Sequence, residues 1–293
     1  MKLSAWPTAN HPWPTLRDLA LHAEGAGYHG VWVMDHFMEN TDAGGGHVLE
    51  GFSVLAALAA VVPRMRLGSL VAGNLYRHPA VLANQAATID VVSGGRFVLG
   101  LGAGWQVNEH QQYGIDLPAP GPRLRQFEEA CRVVRALRDE EVSTFDGTHY
   151  QPRDARMDPK PAGPMPLLIG GAGEKVTAGI VARQAHEWNV WGTPELFAHK
   201  SAVMTRACED AGRDPATLWR STQALIVLGR NPGREDGPRA IGGSVEQLRD
   251  TIGRYAEAGL DELVVTDGHL GGDTARPREL FDVMAHEVVG SAR

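Results

Sequence analysis

Cysteine is nearly absent from this 293-residue chain: Cys131 and Cys208 stand apart, with no CxxC and no companion thiols. That argues against a disulfide framework or a zinc knuckle, and fits two buried thiols in a reducing compartment. Long blocks of one charge are missing too. The formal net charge is −7 and the pI near 5.9, with nothing resembling a nucleic-acid groove or a polybasic membrane anchor, so small-molecule chemistry is expected. No run reaches the roughly 18 apolar residues that a membrane span needs, and the amino terminus lacks a positive region followed by an apolar stretch. The expected location is therefore cytoplasmic. Several catalytic signatures are absent as well. None of the 12 histidines forms HExxH, neither Ser69 nor Ser244 sits in G-x-S-x-G, and there is no P-loop.

What is present is an alternation of short β-rich apolar runs with longer helical patterns, the mark of an α/β fold. The strands read KLSAW (2–6), GVWVMDH (30–36), RLGSLVAG (66–73), RFVLGLGAG (96–104), PLLIGGAG (166–173), EWNVWG (187–192), STQALIVLG (221–229) and ELVVTD (262–267). Helices are expected at 16–27, 53–62, 80–93, 125–140, 175–185, 195–212, 245–259 and 279–289. A hairpin is expected across 142–151, turning at Asp146 and Gly147, and a loop that could act as a lid across 229–243. Eight strand–helix units in order, with no break in composition, predict a (β/α)8 TIM barrel with insertions at its carboxyl-face loops, as a single domain spanning 1–293. A doubly wound dinucleotide-binding sheet is the rival, because GLGAGW (100–105) is glycine-rich and follows a strand. It fails on register: G-x-G-x-x-G needs glycine where Trp105 or Val107 stands.

In such a barrel the chemistry gathers where strands end. Strand 2 ends in WVMDHF (32–37), an apolar run that breaks into Asp35 and His36. Taken alone, the pair reads as a turn cap and a satisfied polar residue. In a barrel mouth His36 is suited to move a proton or to hold a ring carbonyl, with Asp35 orienting it. The third strand leaves through Leu70, Val71, Ala72 and Asn74, and the fourth leads to Trp105 and Glu109. The turn Gly170, Gly171, Ala172, Gly173 opens a helix whose free amides suit a phosphate, and Lys175 and Arg183 could strengthen such a site. Trp188, Asn189 and Trp191 lie along strand 6. Trp6, Trp13, the glycines at 44–46 and the 229–243 loop are candidate pocket walls.

The ordered set GVWVMDHF, RLGSLVAGNLYRHPAVLANQAATIDVVSGGRFVLGLGAGW, PLLIGGAGEKV and ARQAHEWNVWG resembles the luciferase-like monooxygenase superfamily, particularly its branch dependent on coenzyme F420. The likeness covers nearly the whole chain. It implies an oxidoreductase whose TIM barrel binds F420, or alternatively FMN, at the carboxyl face. His36 would be the catalytic residue. Asp35, His36, Leu70, Val71, Ala72, Asn74, Trp105, Gly170, Gly171, Ala172, Gly173 and Trp191 would bind the cofactor. The likeness further implies a non-proline cis peptide near Leu70 to Ala72, a homodimer, and a separate flavin or F420 reductase as supplier. The first reading is hydride transfer between F420 and a small organic substrate. The alternatives are an FMN-dependent monooxygenase using O2 and a non-catalytic cofactor-binding or subunit-type barrel. Trp105 stands where F420-dependent sugar dehydrogenases of the superfamily place a catalytic glutamate, which weighs against sugar oxidation. Glu109 resembles a common family glutamate.

Overall fold

A computed structural model of the chain describes residues 1–268, 270 and 275–290. Eight parallel strands form its centre: β1 (Lys2–Trp6), β2 (Gly30–Val33), β3 (Arg66–Ser69), β4 (Phe97–Gly102), β5 (Leu167–Gly170), β6 (Glu187–Trp191), β7 (Trp219–Leu228) and β8 (Glu262–Thr266). Each pairs with the next, and β8 pairs with both β7 and β1, so the sheet closes on itself as a (β/α)8 barrel. Both faces of these strands are covered, which explains why GVWV and ELVVT read as continuous apolar runs rather than alternating ones.

The outer ring holds α1 (Trp13–Gly25), α2 (Gly51–Val61), α3 (Pro79–Ser93), α4 (Val107–Tyr113), α5 (Pro120–Asp139), α6 (Val176–Gln184), α7 (Pro194–Asp210), α8 (Val245–Glu257) and α9 (Ala275–Asp282), the last continuing as π turns through Val289. Local chemistry sets several of these boundaries. His78 accepts the Ala80 amide at the start of α3, Pro79 stands at the first turn, and Gly94 ends the helix at φ 70°. Ser244 and Gln247 form a capping box on α8. Most of the apolar core lies between the helices and the outside of the barrel. A smaller layer, Trp32, Leu70, Val98, Leu168 and Val264, fills the barrel itself.

The amino end of the barrel is closed by a polar plug. Arg66 bonds Glu187, while the indoles of Trp32 and Trp219 both donate to Glu262, at 2.8 and 3.1 Å. The Arg66 guanidinium lies 5.2 Å from the Trp32 ring centre. Burial lifts the Glu187 carboxyl above its ordinary value, and Arg66 opposes that shift. With this end filled by structure, the open carboxyl end is left for chemistry.

The structure departs from the sequence reading in five places. The expected third strand is broken: Arg66–Ser69 is in the barrel, the Leu70–Val71 peptide is cis, and Ala72–Gly73 forms a short separate strand against β4. The helix α4 was not anticipated, because VNEHQQY offers only Val107 and Tyr113, both exposed, in place of a periodic apolar pattern. Helix α5 begins five residues early, at Pro120. The 229–243 segment ends in a strand, Ala240–Gly243, that pairs with β7. Across 142–151 the hairpin shrinks to a turn in which the Gly147 amide donates to the Tyr150 carbonyl, with one bridge between Ser143 and Ala155.

Candidate active site

A cavity of about 770 Å³ opens at the carboxyl ends of the strands. Its walls come from the exits of β1 to β7, helices α5 to α7 and the segment after β7.

On one side stands a buried hub. Glu109, on α4, is fully shielded from solvent yet accepts three hydrogen bonds: from His36 Nδ1 at 2.7 Å, from the Phe37 amide at 2.9 Å, and from the Tyr76 hydroxyl. Burial alone would push this carboxyl up, but the bonds from His36, the Phe37 amide and Tyr76 outweigh it and hold it below its ordinary value. Burial and Glu109 together push the Tyr76 phenol well up, so it stays a donor. A charged Glu109 fixes the His36 tautomer: Nδ1 carries the proton, and in the neutral ring Nε2 is the basic atom. His36 borders the cavity, and Trp105, 58% exposed, stands edge-on to it with ring centres 5.6 Å apart. The partner that orients His36 is therefore Glu109 and not Asp35.

Asp35 is held by other groups. Arg77 donates to both its oxygens, at 2.7 and 3.0 Å, and the Gly73 amide donates at 3.0 Å. Burial raises this carboxyl while the Arg77 bonds oppose the rise. Arg77 also bonds Glu50, which caps α2, and lies over the Phe52 ring at 4.5 Å. The acid that ends the strand 2 motif thus locks the exit of β2 to the segment after β3 and to α2.

Next to this hub the chain carries Val71 into the mouth. Close packing makes room for it. A Cβ on Gly102 would meet Val71 at 2.7 Å and one on Gly170 would meet it at 2.9 Å, while a Cβ on Gly100 would come within 1.9 Å of the Ser69 carbonyl oxygen. Glycines on β4 and β5 therefore form the seat for the Val71 side chain, which borders the cavity as an apolar group.

Across the mouth lies the turn after β5. The Trp188 indole donates to the Gly171 carbonyl at 2.9 Å, and the Gly171 amide donates to the Asn189 carbonyl, which together fix the turn. No side chain caps the amide end of α6. Gly171, Ala172 and Thr177 border the cavity beside Lys200, whose ammonium bonds the Ala172 carbonyl at 2.8 Å and Glu174 at 2.7 Å. Lys200 and His199 hold the Glu174 carboxyl down at about 2.

Of the twelve residues expected from sequence to bind the cofactor, all but Asn74 and Gly173 border the cavity. Asn74 is buried behind the wall near Tyr150, and Gly173 lies under Thr177. Lys175 and Arg183 do not border it. Arg183 pairs with Glu128 on the outer surface, and the cations at the mouth are Lys200 and Arg239. Sequence gave no sign of Lys200, which reaches the turn from the next helix. Trp6 and Arg239 border the cavity as candidate walls, whereas Trp13 packs on the outer core and the 44–46 glycines stand away from it.

A family model described as luciferase-like monooxygenase matches residues 1–236. Pyrimidine monooxygenase RutA of Cronobacter sakazakii is 36% identical over 177 residues, covering 57% of this chain and 51% of its own length. RutA of Enterobacter cloacae subsp. cloacae is 35% identical over 257 residues, covering 84% of this chain and 68% of its own. RutA of Escherichia coli K12 is 37% identical over 175 residues, with 57% and 45% covered. The chain thus spans about half the length of the Cronobacter and Escherichia relatives it matches. Among solved structures, an F420-dependent secondary alcohol dehydrogenase in complex with an F420-acetone adduct superposes with a TM-score of 0.84 at 19% identity over 100% of both chains. Monooxygenase RslO1 from Streptomyces bottropensis gives 0.82 at 19% identity, again over 100% of both. At such identities these two structures bear on the fold alone.

The depressed Glu109 carboxyl makes a signed prediction. A group whose folded value lies below its unfolded value stabilises fully above the unfolded value and loses that contribution as pH falls through the folded one. Urea unfolding of wild type and Glu109→Gln at pH 7 and at pH 3 is expected to show the wild type ahead by about 1–3 kcal/mol at the higher pH, with the gap closing at the lower. A gap that is the same at both pH values contradicts the assignment.

Proposed function

The chain belongs to the luciferase-like monooxygenase family, and on that premise we propose that it is a flavin-dependent monooxygenase, taking reduced FMN from a separate reductase and oxidising a small organic molecule with O2. The observation that carries this choice is the supply of positive charge. Among the described residues bordering the cavity, only Lys200 and Arg239 bring a permanent cation, and Lys200 is shared with Glu174. One phosphate matches that supply. F420 brings a phosphodiester and several tail carboxylates, which call for more cations than this mouth offers. The sequence alone ranked F420 first, and the 35–37% identical relatives named as monooxygenases support the reverse order.

The residues fit the group. The Val71 surface on its glycine seat suits one face of a planar ring, and the uncapped start of α6 with Thr177 and Lys200 suits a terminal phosphate. Bound reduced FMN supplies the electrons that activate O2 and place one oxygen atom in the substrate. The chain supplies position and one proton: Glu109 holds His36 so that Nε2 can give or take a proton at the cavity edge, where Trp105 stands edge-on to the imidazole. The positioned His36–Glu109 pair favours an enzyme over a non-catalytic barrel.

We read the whole of 1–293 as one luciferase-like domain, and the homodimer implied by the family resemblance as pairing through the outer faces of α2 and α3. Those two helices carry a single charged residue, Asp90, which is buried, while Val81, Val91 and Val92 are exposed. Light scattering is expected to return about twice the chain mass of 31.6 kDa, and a monomer at micromolar concentration contradicts the dimer.

Parallel fluorescence titrations with FMN, riboflavin and F420 test the cofactor. FMN is expected to bind more tightly than F420, and Lys200→Met to weaken FMN about tenfold while leaving riboflavin, which lacks the phosphate, within about twofold. Tight binding of F420 alone removes the monooxygenase reading. Equal weakening of FMN and riboflavin moves the phosphate away from Lys200.

A further inference from the structure

The cation assigned to the phosphate is already held by an anion of the protein itself. Lys200 Nζ donates to the Ala172 carbonyl at 2.8 Å and to Glu174 Oε1 at 2.7 Å, and His199 Nε2 lies 2.8 Å from that same oxygen. Glu174 belongs to the turn after β5, whereas His199 and Lys200 are neighbours on α7, so the three form a clasp across the rim. Lys200 borders the cavity, and Glu174 and His199 do not. The Lys200 side chain is 14% exposed, against 46% for Glu174 and 59% for His199. The clasp therefore runs from the cavity wall outward to solvent.

The donors can be counted. An ammonium has three N–H groups. The Ala172 carbonyl takes one and Glu174 another, so a ligand phosphate at Lys200 meets a carboxylate already bonded to the same ammonium. Lys200 and His199 hold the Glu174 carboxyl down at about 2, so it is charged at neutral pH. Two anions on one cation repel each other, and each weakens the hold on the other. His199 shifts this balance. It gives Glu174 Oε1 a second partner that does not border the cavity, which keeps the carboxylate engaged when the ammonium turns to a phosphate.

We infer that Glu174 is a built-in competitor for the phosphate site: its carboxylate shares Lys200 with the cofactor phosphate, takes His199 as its alternative partner, and so keeps the bound flavin exchangeable. The inference rests on reading Lys200 as the phosphate partner of FMN, and it deepens that reading by naming what limits the flavin's residence. A flavin delivered by a separate reductase is a co-substrate, which arrives reduced and leaves oxidised in each cycle. A phosphate gripped by an uncontested lysine would slow that exchange. Glu174 makes no contact with Val71 or His36, so it acts on the phosphate and not on the ring.

Fluorescence titration and stopped-flow dissociation of FMN and riboflavin test the competitor. Glu174→Gln is expected to bind FMN about three- to tenfold more tightly, chiefly through slower dissociation, with riboflavin within about twofold. At about 1 M salt the gain narrows, because charges this exposed are screened. His199→Ala is expected to act in the opposite sense, weakening FMN about threefold, and to have no effect once Glu174 is replaced by Gln. Unchanged riboflavin binding reports that each variant is folded. Unchanged or weaker FMN binding in Glu174→Gln, an equal gain for riboflavin, or a His199→Ala variant that does not weaken FMN overturns the competitor. Inorganic phosphate, titrated by phosphorus NMR, separates this inference from the flavin reading. A wild type that does not bind FMN, but whose phosphate affinity rises in Glu174→Gln, supports the competitor and removes the flavin; no phosphate binding by either protein overturns the competitor.

Discussion

The barrel mouth depends on one buried carboxylate. Glu109 gathers donors from His36 and Phe37 after β2 and from Tyr76 after β3, while its own helix follows β4, so a single side chain ties three neighbouring strand exits together. Each bond to a charged group is worth roughly 1.5–3 kcal/mol, but taking the carboxylate out of water costs several kcal/mol, so the net gain is modest. What the arrangement secures is geometry. Phe37 stacks on Tyr113 of the same helix at 5.1 Å and leans on Tyr76, which shields the hub. Asp35, one residue from His36, makes the parallel tie through Arg77 to the start of α2. Two adjacent residues thus serve different ends: one locks the scaffold, and the other is presented to the cavity.

The second constraint is space. Val71 enters the mouth because Gly100, Gly102 and Gly170 carry no side chains, and because β3 and β4 approach so closely that Ser69 bonds the backbone of Gly100 in both directions. The polar plug of Arg66, Glu187 and Glu262 closes the opposite end. The barrel is therefore solid at its amino end, ridged at its carboxyl end and open above the ridge. That shape, more than any one reactive group, suits a flat cofactor held by one face.

The strands were legible because strands buried on both faces leave uninterrupted apolar runs bounded by glycine and proline. Their order gave the barrel. The break after Ser69 was not legible from pattern, since Leu70, Val71 and Ala72 are as apolar as a continuing strand; only the family resemblance pointed to a cis peptide there. His36 could be found because it ends a strand. Its true partner was obscured: Glu109 lies on a seven-residue helix with almost no apolar periodicity, and nothing in the sequence says that a residue 73 positions on will face it. The same holds for Lys200, Gln223 and Arg239. Their place at the mouth comes from tertiary packing, whereas the charges nearer the turn in sequence, Lys175 and Arg183, do not border the cavity.

The central claim is that the cofactor lies on the Val71 ridge between the His36–Glu109 pair and the start of α6. A crystal structure of the FMN complex tests it most directly. The account predicts the ring against Val71, one ring edge within hydrogen-bond reach of His36, and the phosphate against Thr177 and Lys200. A phosphate bound at another part of the rim, or a ring that leaves Val71 uncovered, contradicts it.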